Sequence, residues 1–282
     1  MLRNIFFILF ITFSNVIIAQ RKQSKIPPSF RRDLRTINVL DTAKFTVYYA
    51  FNADDVKDEH TYIDLQWLQV GKRISKYSSY YMAKSDSVAI AWQKKNPKAR
   101  VAPNQKNGGK FPEFWSEYQY DELYITKDNL TEYAIMPINL GRDNCYYSEK
   151  LPLQQWNIQD ETIDLCGYKC QKATCHWRGR DYIAWFTMDI PIKLGPWKFG
   201  GLPGLILKIH DKEKEYSFEC VKIEKNNRKI TQYNFSRFKK VSREYLLNYQ
   251  KKLNINWVKA SGVIQTSGEP AKDCKYSPLE LK

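Results

Sequence analysis

The stretch from Tyr182 to Lys208 constrains this chain more than any other. Two strand-like runs, Tyr182 to Ile190 and Leu205 to Lys208, flank a loop crowded with Gly and Pro that also carries Trp197 and Phe199. The β-branched and aromatic residues between Arg180 and Pro191 suit a pleated, largely buried strand. Pro191 and Pro196 have no N–H to give to a ladder, so that strand must stop near Ile190. Gly200, Gly201 and Gly204 open positive φ to the backbone, and Pro203 fixes its own φ. The same pattern extends into a meander: Cys170 to Trp177, a turn at Arg178 to Arg180, Tyr182 to Ile190, the loop, Leu205 to His210, a turn at Asp211 to Glu213, and Tyr216 to Glu224.

Gly201-Leu-Pro-Gly-Leu-Ile206 resembles the name-giving motif of the GLPGLI family of exported proteins of Bacteroidetes-type bacteria. The resemblance continues through Gly167 to Ala173, Arg178 to Arg180, Ala184 to Thr187, Ile190-Pro191 and Gly195 to Phe199, so it spans Gly167 to Asp211. The structural motif is therefore Gly200, Gly201, Leu202, Pro203, Gly204, Leu205 and Ile206. The family implies an exported protein without a characterised activity.

The N-terminus agrees with export. Met1 to Asn4 is a short positive region, Ile5 to Ile18 an apolar one, and Ala19-Gln20 a cleavage site, which together predict a signal peptide over 1–19. Residues 20–42 are polar, basic and Pro-containing, and are expected to be extended or poorly ordered. With no internal repeat and no long linker, 43–282 is read as one domain. The predicted location is the periplasm, the outer membrane or beyond the cell. In such a compartment the six cysteines read as disulfide formers. Cys145, Cys166, Cys170 and Cys175 cluster in sequence and are the candidates, while Cys220 and Cys274 stand apart. Cys170 and Cys175 point to opposite faces of a strand and cannot pair with each other. The cysteine spacing lacks a zinc knuckle, so no metal is expected.

The net charge is +15. Lys84 to Lys110 holds seven basic residues against one acid, and Lys208 to Lys259 fourteen against six. Such surfaces attract anionic partners, either an anionic envelope surface or an outer-membrane protein. The plainer reading is a solvated face. Nucleic acid is not expected for an exported chain.

Beyond the meander, strands are predicted at Phe45 to Phe51, Tyr118 to Thr126 and Leu130 to Met136, with a hairpin of Tyr62 to Val70 and Ile74 to Met82 whose Ile63/Leu65/Trp67 face points inward. Shorter strands are read at Asn144 to Ser148, Ile230 to Phe235 and Trp257 to Thr266. Helices are predicted over 85–95, capped by Ser85, and over 242–253, capped by Ser242 with Val241 stapling onto Leu246. Residues 103–110 are read as a mobile loop. The fold class is α+β and β-dominated: a single curved antiparallel sheet, similar to the open half-barrels of periplasmic lipoprotein carriers, with one or two packed helices.

No catalytic constellation stands out. His60, His176 and His210 form no metal or triad spacing, and Asp181 and Asp189 would lie roughly 26 Å apart along one strand. The Pro/Gly loop has two readings. Trp197, Phe199, Leu202 and Leu205 could plug one end of the sheet, or Trp185, Trp197, Phe199 and Leu202 could contact a ligand or partner. Three functions follow. The leading one is non-enzymatic binding of an apolar or amphipathic ligand in the concave sheet, without a cofactor. The others are a scaffold partner of an outer-membrane complex and an enzyme with an unrecognised site. A cavity above ~300 Å³ would favour the first, a filled interior with an exposed aromatic-basic patch the second, and buried polar groups of perturbed pKa the third.

Overall fold

The computed structural model describes residues 25–28, 34, 36–98, 108–137, 140, 143–263 and 272–282. The predicted signal peptide, most of the 103–110 loop and the end of the predicted 257–266 strand lie outside them.

Among the described residues, fourteen strands, four α-helices and a short 3-10 helix at Glu59–Thr61 form one β-dominated body. In chain order the strands are β1 (Ile37–Thr42), β2 (Phe45–Phe51), β3 (Asp64–Val70), β4 (Ser75–Ser79), β5 (Glu122–Ile125), β6 (Asn129–Ala134), β7 (Cys145–Lys150), β8 (Asn157–Leu165), β9 (Tyr168–Trp177), β10 (Arg180–Thr187), β11 (Leu205–Asp211), β12 (Ser217–Lys225), β13 (Lys229–Tyr233) and β14 (Lys239–Lys240). The helices are α1 (Tyr80–Lys95), α2 (Glu117–Tyr120), α3 (Arg243–Ile255) and α4 (Trp257–Ser261).

Twelve strands make one sheet in the order β14-β7-β6-β5-β4-β3-β2-β12-β11-β10-β9-β8, and β1 pairs with β13 in a second, two-stranded sheet. This corrects the single antiparallel sheet expected from the sequence. The large sheet is mixed, because the two-residue β14 runs parallel to β7. The small sheet exists because residues 37–42, expected to be poorly ordered, pair with β13 instead. Neither feature leaves a periodic signal, since both depend on partners distant in the chain.

The sheet coils. β6 and β9 lie eight strands apart in its order, which is roughly 38 Å in a flat sheet. Even so, Leu130 of β6 and Cys170 and Ala173 of β9 belong to one buried core. Trp197, Phe199 and Leu202 fill that core from the Pro/Gly loop, and Leu279 fills it from the C-terminal tail. The main core faces Val47, Tyr49 and Phe51 of β2 and Leu68 and Val70 of β3. Leu65 and Trp67, expected to face it, point the other way and pack with Tyr48, Tyr80 and Tyr81 beneath α1. β3 is a central strand covered on both sides, so its alternation cannot tell which face is the larger core.

α1 begins five residues earlier than predicted. Ser79 is the cap, its hydroxyl accepting from the Met82 N–H, so the run read as strand up to Met82 breaks into helix at Tyr80. α3 starts as predicted, with the Ser242 hydroxyl accepting from the Tyr245 N–H, and buries Leu246, Gln250 and Leu253. Residues 257–261, read as strand, are the short helix α4, closed by Gly262 at φ 67°.

Candidate functional site

The Pro/Gly loop between β10 and β11 folds back on itself. Leu194 and Gly200 form a β-bridge, and the Gly201 N–H donates to the Lys193 carbonyl at 3.0 Å. Gln154, in the segment leading to β8, clasps the loop from outside. Its amide nitrogen donates to the Lys198 carbonyl at 3.2 Å and its oxygen accepts from the Gly200 N–H at 2.9 Å. Trp156 adds an indole N–H to the Gly200 carbonyl at 2.7 Å. Gly201 sits at φ +86°, whereas Gly204 is small for a different reason: a Cβ there would overlap the Thr187 carbonyl.

The loop has an outer face and an inner one. Outside, an open cleft of about 560 Å³ lies between the loop, the β3–β4 turn and the β5–β6 turn. Lys72, Arg73, Lys127 and Lys193 project at its rim, Ser75, Thr126 and Gln154 offer uncharged polar groups, and Leu151, Leu153 and Leu194 supply apolar wall. No carboxylate lines it. Asp41 of β1 holds the β3–β4 rim, accepting from the backbone N–H of Arg73 at 2.7 Å and of Ile74 at 3.2 Å. Those N–H donors and that of Thr42 hold its carboxyl down at about 2.

Inside, the loop drives a lysine into the protein. Lys198 is 3% exposed. Its Nζ pairs with Glu132 of β6 at 2.7 Å and Glu280 at 2.5 Å, and donates to the Tyr147 hydroxyl at 2.9 Å. Glu280 also pairs with Arg178 of the β9–β10 turn at 2.8 Å and with Arg243 at the start of α3. Arg178 reaches on to Glu149 of β7 at 2.7 Å. Burial disfavours the charge on Lys198, but its two carboxylate partners win and hold it above the ordinary lysine value. Burial would likewise raise Glu280, but Lys198, Arg178 and Arg243 hold it below the usual range. Asp121, next to Glu132 and Glu117, is raised well above an ordinary carboxylate, first by burial and then by Glu132. Further from the loop, burial pushes Asp64 up to about 8 against the hydrogen bond from Ser79.

The C-terminal tail completes this hub. The Arg180 guanidinium donates to the Pro278 carbonyl at 2.8 Å, the Tyr182 hydroxyl to the Leu279 carbonyl at 2.8 Å, and the Leu281 N–H to the Arg178 carbonyl at 2.9 Å. The tail is a strap across the coiled sheet.

Of the four predicted contact residues, Trp197, Phe199 and Leu202 are buried in the core. Trp185 is half-buried in β10 with the Lys172 ammonium 5.9 Å above its ring. All six cysteines are free thiols. Cys145 lies in the core beside α3, remote from Cys170 and Cys175. Cys166, one of the four candidates, lies against Cys220, its Sγ 2.9 Å from that residue's carbonyl oxygen. His176 pairs with Asp181 at 2.7 Å on the exposed surface. Among the described residues no cluster of three or more His, Cys, Asp or Glu is placed to hold a metal ion. Sequence reading missed Lys198, Glu132 and Glu280. The one available signal was Lys198 itself, a charge set among Gly, Pro and aromatic residues.

Comparison with known proteins adds four findings. The model of the family described as "N-glycanase peptide, N-terminal domain" matches residues 109–251. No curated protein matches. Among solved structures, PNGF-II in one crystal form is 16% identical, with 74% of this chain and 33% of that chain covered and a TM-score of 0.47. In a second crystal form the identity is 16%, the coverage 76% and 34%, and the TM-score 0.47. The chain thus spans about a third of the length of these solved chains. The matched residues 109–251 include the whole of Gly167 to Asp211, so the GLPGLI assignment is corrected to the family that the match names. The expectation of a non-enzymatic binder of apolar ligands is corrected with it, because the family is that of an enzyme. The interior meant for such a ligand is also filled, by Trp197, Phe199, Leu202 and Leu279.

Proposed function

This chain belongs to the N-glycanase N-terminal-domain family, and we propose from that premise that it acts in the enzymatic release of N-linked glycans, with the cleft outside the Pro/Gly loop seating the glycosylated substrate. An N-glycanase hydrolyses the amide that joins the innermost sugar to an asparagine side chain, leaving aspartate. The observation that carries the reading is the cleft. Its 560 Å³ falls within the ~300–1,000 Å³ of small-molecule sites. Sugars present hydroxyls and C–H faces together, and the cleft answers both. Lys72, Lys127, Lys193 and Thr126 supply hydrogen-bonding groups, and Leu151, Leu153 and Leu194 supply apolar surface. On the inner side, Asp121 is a buried carboxyl beside Glu132, raised well above the ordinary range first by burial. Perturbed groups of this kind cluster at enzymatic sites, which supports an enzymatic reading over a passive one.

The test pairs binding with release. An N-glycopeptide and its unglycosylated counterpart are titrated into the protein, and conversion of the glycosylated asparagine to aspartate is followed by mass spectrometry. Preference for the glycopeptide is expected. In Lys72→Glu/Lys127→Glu that preference should weaken, with KM for release raised and kcat held, as expected when uniform binding is lost. Equal affinity for the two peptides overturns the reading.

A further inference from the structure

We propose that Cys166 and Cys220 are a disulfide-forming pair that fastens the β8–β9 hairpin to β12. The two residues are distant in sequence and in sheet order, since β9 is three strands from β12. The chain brings them together because β10 and β11 stop short. β10 ends at Thr187 and β11 begins at Leu205, with the Pro/Gly loop between them. Past those ends the tip of the β8–β9 hairpin reaches β12 at Cys220.

The tip is shaped for this approach. Cys166 at φ 49° and Gly167 at φ 80° form a tight two-residue turn with both central residues left-handed. Cys166 is exposed, yet its Sγ donates to the carbonyl oxygen of Cys220 at 2.9 Å, which places the two side chains side by side. Cys220 is buried, at a register shift of β12 against β2. The proximity of Cys220 lowers the Cys166 thiol, while the proximity of Cys166 and burial raise Cys220. The pair is therefore unequal. An accessible sulfur stands against a buried one, an arrangement suited to stepwise exchange that begins at Cys166.

The chemistry needs a small disulfide as oxidant. The Cys166 thiolate attacks one sulfur of the oxidant, forming a mixed disulfide and releasing one thiol. Cys220 then loses its proton and attacks Cys166 Sγ, forming the internal disulfide and releasing the second thiol. The oxidant is reduced by two electrons and the protein gives up two hydrogens. The bond closes a covalent ring across residues 166–220, and so ties an edge hairpin to a central strand.

The experiment treats the whole protein with oxidised glutathione, blocks free thiols, and maps peptides without reduction. A Cys166–Cys220 peptide is expected, with Cys145 and Cys175 alkylated only after unfolding. The oxidised protein should melt on the order of 10 °C above the reduced one. Cys166→Ser, a change at an exposed turn, should fold normally and abolish both the crosslink and that difference. Arrest at a glutathione adduct on Cys166, or a bond from Cys166 to Cys170, overturns the proposal.

Discussion

Replacing Glu280 with Gln tests whether the buried ion network holds the coiled sheet closed. The substitution keeps the shape of the side chain and removes its charge. The network balances three cations, Arg178, Lys198 and Arg243, against three carboxylates, Glu132, Glu149 and Glu280. The side chains of Lys198 and Glu280 are each 1% exposed, so water cannot replace the lost partner. Removing one member of a buried pair costs ~3–5 kcal/mol when the other charge is left unpaired. Lys198 keeps Glu132 and Arg178 keeps Glu149, so the low end, about 3 kcal/mol, is expected for the one surplus buried cation. For a chain of this size that corresponds to a melting point lower by roughly 10 °C. The sign of the pH effect follows from the depressed Glu280 carboxyl. Its contribution is complete above the ordinary glutamate value of 4.5 and is lost as pH falls through the lower folded value. Parent and variant should therefore differ most above pH 4.5 and converge in acid. The assay is urea denaturation of both proteins from pH 3 to pH 8. A Glu280→Gln protein within about 1 kcal/mol of the parent at neutral pH would refute the reasoning, since a surface pair is worth that little.

Gly204→Ala should destabilise by more than Gly201→Ala in the same denaturation assay. The first drives a Cβ into the Thr187 carbonyl, whereas the second strains φ in a space whose nearest atom is 3.7 Å away. Roughly 1–3 kcal/mol is expected for the overlap and about 1 for the strain, and the reverse order would contradict the packing described. Asp64, raised by burial to about 8 from 3.8, keeps its proton in the folded state over a range where the unfolded chain has lost it. It should thus lower stability as pH rises from 4 to 8, by on the order of 5 kcal/mol. Asp64→Asn should flatten that part of the profile and be the more stable protein at pH 8, and identical pH profiles would argue against a protonated Asp64. Ser242→Ala should remove about 1 kcal/mol by uncapping α3, read as a proportionate drop in the urea midpoint.

The meander and the α3 cap were legible because their signals are local. Alternation from Cys170 to Trp177, the prolines that end β10, and Ser242 ahead of an apolar stripe each act within a few residues. The closing contacts were not legible. The strap's Pro278-Leu279-Glu280-Leu281 has no period, and Glu280 means nothing until Lys198, Arg178 and Arg243 converge on it from three separate elements. Cys220 looked isolated because a chain distance says nothing about where two neighbouring strands end. The start of α1 was misplaced because Tyr80, Tyr81 and Met82 suit a strand, while the Ser79 cap and the aromatic packing of Tyr80 on Tyr48 and Trp67 decide for helix.

The misassigned family has a physical explanation in the motif itself. Gly204 is small because the Thr187 carbonyl lies against it, Gly201 is glycine because φ is positive, and Leu202 and Leu205 are apolar because they fill the core. Those four residues of the string are accounted for by how a loop turns back into a coiled sheet. A motif so determined reports on chain geometry and is silent on chemistry. The residues that could carry function lie on either side of it. Lys193 faces the cleft and Lys198 faces the ion network, so one short loop shapes the cleft proposed for the substrate outside and is held by charge inside. Weakening the inner contacts should then loosen the outer cleft as well. Glu280→Gln should bind glycopeptide less tightly even though no atom of Glu280 lines the site.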